Sequence, residues 1–468
     1  MKPAIPFLLL GTLGVAGVVT NGGGDGPARA PTEPPPSMTT AAGPITVEAS
    51  LERTTLPANT PGDTFVRVAL TGQKIQTQQL QRPAVSLTLV IDRSGSMGSE
   101  RKMEAAEEAA CAAVNALESG DRFAVVSFDN GAEVIHHGEA SPVTKRAACE
   151  AITALSARGS TDMRSGLQVG GTAALRMKGP GRVNRMLVLS DGRPDTESGL
   201  ADQTAALARE GIVTTTIGLG TDYNEDLMSA LADRGLGNGY FVESRIEKRG
   251  GSTSLAQIFK TELSSMTEVV AKAATVRLTP KAGFELTEVA GFVSDRSGNA
   301  LIVPVGDVYS GHTIELLVRA RHPAHQASAS AVDLLDVTVS GNDARTDSAF
   351  GQSIALAAAF SDDTGVVTAS LVPAVAEEAE KFRTTQAMLV ANEAYNRGDF
   401  AAGDKVLNEQ KARVQTQAKA LGSAKLEALF EDVDGYQAQN ASVGMAGRAS
   451  MNKVMKEKAR DYQRSAKK

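Results

Sequence analysis

The sequence predicts an α/β protein. A doubly wound domain with a mainly parallel sheet is inserted in a β-sandwich, and a helical segment follows at the C-terminus. Three observations carry this reading. Between residues 84 and 267, short apolar β-rich runs alternate regularly with helical stretches, the pattern of a parallel sheet covered on both faces. Residues 43–83 and 268–372 are dominated by alternating strand-like runs and turn clusters. The first of these is too short to fold alone and needs strand partners from the second. From 373 to 440 the apolar spacing becomes helical.

Composition sets outer limits. A chain of 468 residues has room for about three domains. Its net charge of −6 offers no basic surface for nucleic acid or anionic membrane. With no Trp and 4% aromatic residues, the cores must rest on Val, Leu, Ile and Ala. Cys111 and Cys149 both fall in predicted helices of the inserted domain. They allow one disulfide in an oxidising compartment, or equally two small buried side chains. No CxxC or Cys/His cluster occurs, which argues against zinc or iron–sulfur chemistry.

Taken in order, residues 1–20 have one positive charge and then an apolar run rich in small residues. This is signal-peptide grammar and predicts export, to the periplasm, the cell surface or the medium, with an uncleaved N-terminal membrane tether as the alternative. Residues 21–42, rich in Gly, Pro, Ser and Thr, read as a flexible linker. Ile45–Leu51 and Thr64–Leu70 read as strands around the turn cluster Pro57–Gly62. Within the inserted domain, strands are expected at Val85–Asp92, Arg122–Phe128, Glu133–His136 (a short edge), Arg185–Asp191, Ile212–Gly218 and Gly239–Glu243. Helices are expected at Ser99–Leu117, Thr144–Ser156, Met163–Met177, Leu200–Glu210, Asn224–Ala232 and Ser254–Val270.

Ala274–Pro280, Phe284–Val289, Thr313–Ala320 and Leu334–Val339 supply further strands. Ile354–Phe360 is strand or, by its alanines, helix. Ala374–Asn396, Phe400–Leu421 and Ser423–Tyr436 are helical, and a helical hairpin packed on the sandwich is expected. Arg397-Gly398-Asp399 is explained by a turn between helices, without an integrin role. Residues 441–468 form a basic tail, expected to be disordered.

The candidate chemistry sits at the carboxyl ends of two apolar strands, where open α/β sheets place ligands. Asp92, Ser94 and Ser96 follow the first strand, with Gly95 between the hydroxyls. Thr161 and Asp162 lie in the small loop Arg158–Asp162 before a helix, and Asp191-Gly192 closes a second strand. Oxygen ligands of this kind suit a hard cation.

In this order, the five positions Asp92, Ser94, Ser96, Thr161 and Asp191 resemble the metal-ion-dependent adhesion site of von Willebrand factor type A (VWA) domains, over roughly Ala84–Thr267. The whole layout is similar to secreted bacterial proteins of the calcium-activated chloride channel homologue type, though nothing in the sequence spans a membrane repeatedly. The resemblance implies a Rossmann-like fold and Mg²⁺ as cofactor, with Ca²⁺ or Mn²⁺ able to substitute. It implies that Ser94, Ser96 and Thr161 bind the ion directly, while Asp92 and Asp191 act largely through water and balance charge. It also implies a protein partner that supplies an Asp or Glu carboxylate. Arg93, Asp162 and Gly192 are further candidates for contact with that partner. In relatives, ligand exchange is coupled to a shift of the closing helix, here expected to reach the sandwich.

An enzyme is not expected. The five histidines, His136, His137, His312, His322 and His325, lie outside the three loops, and no hydrolase or phosphate-binding motif occurs. The leading expectation is a metal-dependent binding module, adhesive or scaffolding. A structural envelope component with a stabilising metal is the alternative, and a metal hydrolase ranks last.

Overall fold

The computed structural model describes residues 37–75, 82–220, 224–242 and 255–442. The predicted signal segment, most of the predicted linker and nearly all of the basic tail lie outside the described residues. Among the described residues, no helix is long and apolar enough to cross a membrane.

The first segment contains β1 (Met38–Ala42), β2 (Ile45–Leu51), β3 (Thr55–Pro57) and β4 (Gly62–Gly72). The inserted domain runs β5 (Ala84–Asp92), α1 (Lys102–Ala116), β6 (Arg122–Phe128), β7 (Ala132–Glu139), α2 (Pro142–Thr153) and α3 (Met163–Met177). It continues with β8 (Arg182–Ser190), α4 (Leu200–Arg209), β9 (Ile212–Leu219), α5 (Glu225–Arg234), β10 (Leu236–Val242) and α6 (Leu255–Thr267). The chain then returns through β11 (Val269–Pro280), β12 (Glu285–Val289), β13 (Asp295–Ser297), β14 (Ala300–Tyr309), β15 (Thr313–His322), β16 (Ser328–Asp343) and β17 (Ala349–Ser361). Four helices close it: α7 (Thr364–Ala369), α8 (Pro373–Asn396), α9 (Phe400–Leu421) and α10 (Ala424–Ser442).

The inserted domain is built on one six-stranded sheet of order β10-β9-β8-β5-β6-β7, parallel except for the antiparallel edge strand β7. The alternation of β5 explains its burial. Val85, Leu87, Leu89 and Ile91 join one apolar core with α1, α2 and α6, whereas Val90 joins another with α3, α4 and α5. Both faces are therefore covered, as a continuous apolar strand requires. The order reverses at β5, between β8 and β6, and this switch point lies at the carboxyl ends of β5 and β8.

Two further sheets, β1-β2-β4-β15-β12 and β13-β14-β11-β16-β17-β3, enclose a single apolar core and form the sandwich. Strand β4, from before the insertion, pairs antiparallel over Gly62–Thr71 with all of β15, from after it. Helix α8 lays Val375, Ala379 and Phe382 on Phe65 and Leu317 of the first sheet. Phe382 meets the Phe65 ring edge-on at 5.8 Å.

Several sequence expectations are corrected. Met38–Ala42, placed in the linker, pairs with β2. Helix α6 stops at Thr267, because the β-branched pair Val269-Val270 is buried in β11 instead. The alanine-rich Ile354–Phe360 is strand, inside β17. Strand β14 was not anticipated, since Pro304 and Gly306 interrupt its sequence. Pro304 lies beyond the residues that pair with β13, so its missing N–H costs no bond on that side. The three expected C-terminal helices form, as α8, α9 and α10, but they pack as three rather than as a hairpin, and α10 runs past residue 440, to Ser442. Cys111 and Cys149 are free thiols in adjacent helices, each directed at the other's carbonyl at 3.8 Å.

Candidate metal centre

The loop after β5 begins at a buried carboxylate. Asp92 Oδ1 accepts from the Ser94 amide at 2.7 Å, and Oδ2 accepts from the Ser190 hydroxyl. Burial pushes Asp92 up to about 6, against these bonds from Ser190 and Ser94. The turn continues as a short 3-10 segment, Gly95–Gly98, which anchors Met97 in the core. Ser94 Oγ and Ser96 Oγ are thereby brought to 3.1 Å of each other.

The other two loops close on this turn. Gly95 N donates to Gly159 O at 3.1 Å, and Arg158 N donates to Arg93 O at 2.7 Å. Thr161 then sits directly before α3, largely buried, and no partner for its hydroxyl is found among the described residues. Ser96 Oγ donates to Asp191 Oδ1 at 2.7 Å. At Gly192 a Cβ would lie 3.1 Å from Thr161 Oγ1 and 3.5 Å from Ser96 Oγ. The absent side chain at Gly192 thus leaves a cradle between the two hydroxyls.

The donor set is two carboxylates and three hydroxyls, all oxygen, which fits a hard cation such as Mg²⁺ and not a soft one. Among the described residues, no cluster of three or more His, Cys, Asp or Glu could hold a metal. A site here therefore depends on the hydroxyls.

Of the three further candidates for partner contact, Asp162 and Arg93 are engaged in the local structure. Asp162 caps α3, accepting from Ser165 N at 3.2 Å and from Ser165 Oγ. Arg93 pairs with Asp129 and Glu133 at 3.1 and 2.9 Å. Burial works against ionisation of Asp129, but Arg158 and Arg93 outweigh it and hold that carboxyl below its ordinary range. Gly192 contributes space, not a side chain.

Two participants were not read from the sequence. Lys102 Nζ donates to Asp191 Oδ2 at 2.7 Å, with both side chains buried. Ser190 holds Asp92. Ser190 is adjacent to Asp191, so its proximity was a usable signal; Lys102 gave none, standing among the charged residues at the start of a helix.

The histidines stay outside the centre. His136 of β7 stacks on Phe123 of β6, and burial, with His137 beside it, lowers its pKa.

With this geometry in place, the comparisons give the class of domain. Residues 85–241 match the sequence model of the von Willebrand factor type A domain. The inserted domain is therefore a VWA domain with a Rossmann-like fold. A solved von Willebrand factor type A protein from Catenulispora acidiphila superposes with a TM-score of 0.61 at 21% identity, covering 82% of this chain and 89% of that one. The ArnB paralog VWA2 from Sulfolobus acidocaldarius gives 0.54 at 17% identity, covering 90% of this chain and 99% of that one. At such identities these two establish the fold alone.

An uncharacterized protein of Synechocystis sp. is 31% identical over 172 residues, covering 36% of this chain and 40% of that protein. The chain spans less than half the length of the curated relatives it matches. VWA domains often mediate metal-dependent protein interactions, and the proteins that carry them are mostly not enzymes.

Proposed function

We propose that this chain is an exported, non-enzymatic protein-binding module, adhesive or scaffolding. In this reading a divalent cation at a metal-ion-dependent adhesion site captures a carboxylate from a partner protein. The observation that carries the reading is the convergence of Ser94, Ser96, Thr161, Asp92 and Asp191, from three loops, at the switch point of the sheet. Ser94, Ser96 and Thr161 would hold the ion directly, with Asp92 and Asp191 orienting and balancing charge. When bound, the ion supplies an open coordination position for an incoming Asp or Glu, because neutral hydroxyl ligands leave much of its charge uncompensated. Mg²⁺ is the expected cation, with Ca²⁺ or Mn²⁺ as substitutes. The signal-like N-terminus supports export and allows a membrane tether there. The insertion of the domain within a sandwich supports a place beside the secreted calcium-activated chloride channel homologues.

The test is binding of an Asp/Glu-containing peptide library to the full chain in Mg²⁺ and in chelator, with circular dichroism in parallel. The expected result is capture in Mg²⁺ that is lost in chelator while the fold persists. If chelator instead unfolds the protein and no peptide binds in Mg²⁺, the metal is structural and the binding reading fails.

A further inference from the structure

We propose that Lys102 is a built-in counter-cation that makes metal capture and carboxylate capture at this centre depend on one another. The inference rests on the metal-site reading above and names how that site is regulated. Lys102 Nζ lies 2.7 Å from Asp191 Oδ2, and Ser96 Oγ lies 2.7 Å from Oδ1, so both oxygens of Asp191 are engaged. The pair is shut away from water, with side-chain exposures of 7% and 0%. An ammonium group is rarely buried unless it is paired, and here its partner is a carboxylate of the centre itself.

The backbone is bent to put it there. Glu100 and Arg101 take φ values of 54° and 58°, two successive non-glycine residues in the left-handed region. Only then does α1 begin, with Lys102 as its first residue. Strain of this kind persists where the surroundings impose it, and it clusters at functional sites.

The consequence follows from charge. Asp92 and Asp191 against Lys102 leave the centre with one net negative charge. The neighbouring Asp129 and Glu133 are matched separately by Arg93 and Arg158. A divalent ion converts that to one net positive charge. A partner carboxylate then restores neutrality. Lys102 therefore weakens the metal in the absence of a carboxylate and strengthens the demand for one when the metal is present. Without Lys102, metal alone would neutralise the site and the carboxylate would gain less. Coupling of this sort is reciprocal by linkage.

The experiment titrates Mn²⁺ into the full chain by calorimetry, with and without saturating acetate at neutral pH. Wild type, Lys102→Gln and Ser96→Ala are compared. Glutamine keeps a donor for Asp191 while removing the charge, and Lys102→Met serves as a second neutral variant. Thermal unfolding confirms that each is folded. Removing a unit positive charge this close to a dication should tighten Mn²⁺ binding without acetate by on the order of tenfold or more. Acetate should then enhance Mn²⁺ binding less than in the wild type. Mn²⁺ affinity that is unchanged or weaker in the folded neutral variants would overturn the role of Lys102 and leave the metal site standing. No Mn²⁺ binding by the wild type, even with acetate, would overturn both.

Discussion

The Asp92 carboxylate is buried, accepts from Ser94 and Ser190, and is pushed by burial to about 6 from an ordinary 3.8. A folded-state pKa above the unfolded one means that the folded, chelated protein binds this proton more readily. Through this group alone, stability is present at low pH and is lost as the pH rises through about 6. Asp92→Asn should therefore stabilise the chelated protein at pH 7.5 by about 1–3 kcal/mol and do little at pH 4. Urea unfolding at the two pH values measures this, and a variant less stable at pH 7.5 would show that the hydrogen bonds outweigh the burial. Stability set aside for a charged site in this way is common at functional positions. Cys111 gives a second residue-scale expectation. Burial and the adjacent Cys149 raise its thiol to about 12, so alkylation at pH 8 should be far slower than for a free cysteine. Rapid alkylation of Cys111, resolved by peptide mapping, would contradict this. The tripeptide Arg397-Gly398-Asp399 forms the expected turn between helices. Gly398 takes φ 82° between α8 and α9, and Asp399 caps α9 through the Ala402 amide.

Helix α3 is the element that presents Thr161, and it lies close to the sheet because of its glycines. A Cβ at Gly170 would meet Val90 at 2.5 Å, and one at Gly166 would meet Phe128 at 2.8 Å. Gly170→Leu should push α3 off β5 at a cost of about 1–3 kcal/mol or more, read as a lower urea midpoint. An unchanged midpoint would mean that the helix can shift freely. At this scale the sequence was most readable where periodicity and length agreed. Strand β5 and the helices α1 and α3 followed from apolar runs and composition, and Asp92 and Asp191 from the acids that end those runs. What the sequence hid has physical causes. Pro304 and Gly306 masked β14, because local propensity does not reveal an open sheet edge. Alanines in β17 left strand and helix equal, and only pairing with β16 decided between them. The Lys102–Asp191 contact spans 89 positions and carries no local signature.

On the scale of the whole molecule, a buried guanidinium bridges the VWA domain and the sandwich. Arg185, at 0% exposure, donates to Glu262 of α6 at 2.7 Å and to Asp307 and Tyr309 of β14 at 3.1 and 2.9 Å. Glu262 also accepts from Thr215, Asn238 and Tyr240. Burial opposes its charge, but Arg185 and these donors hold it below the usual carboxylate range. Asp307 shifts the other way, because burial outweighs its weaker share of Arg185. The richer donor set favours the charged form of Glu262 more than that of Asp307. Arg185→Met should destabilise the protein by about 3–5 kcal/mol at neutral pH. The deficit should narrow on acidification, as the two orphaned acids, now raised in pKa, take up protons in the folded state. A deficit independent of pH, measured by urea unfolding from pH 4 to 7.5, would contradict this. The network also bears on any movement of α6. Only one residue separates α6 from β11, so a shift of the helix must break or carry the Arg185 contacts to β14.

The most direct measurement is calorimetric titration of Mn²⁺ into the full chain in saturating acetate, wild type beside Ser96→Ala. Ser96 bridges Ser94 and Asp191, so its loss should remove the site without touching a core. Saturable binding is expected from the wild type and none from the variant, with both equally folded. Equal heats from the two proteins, or none from either, would contradict a metal centre built on these hydroxyls.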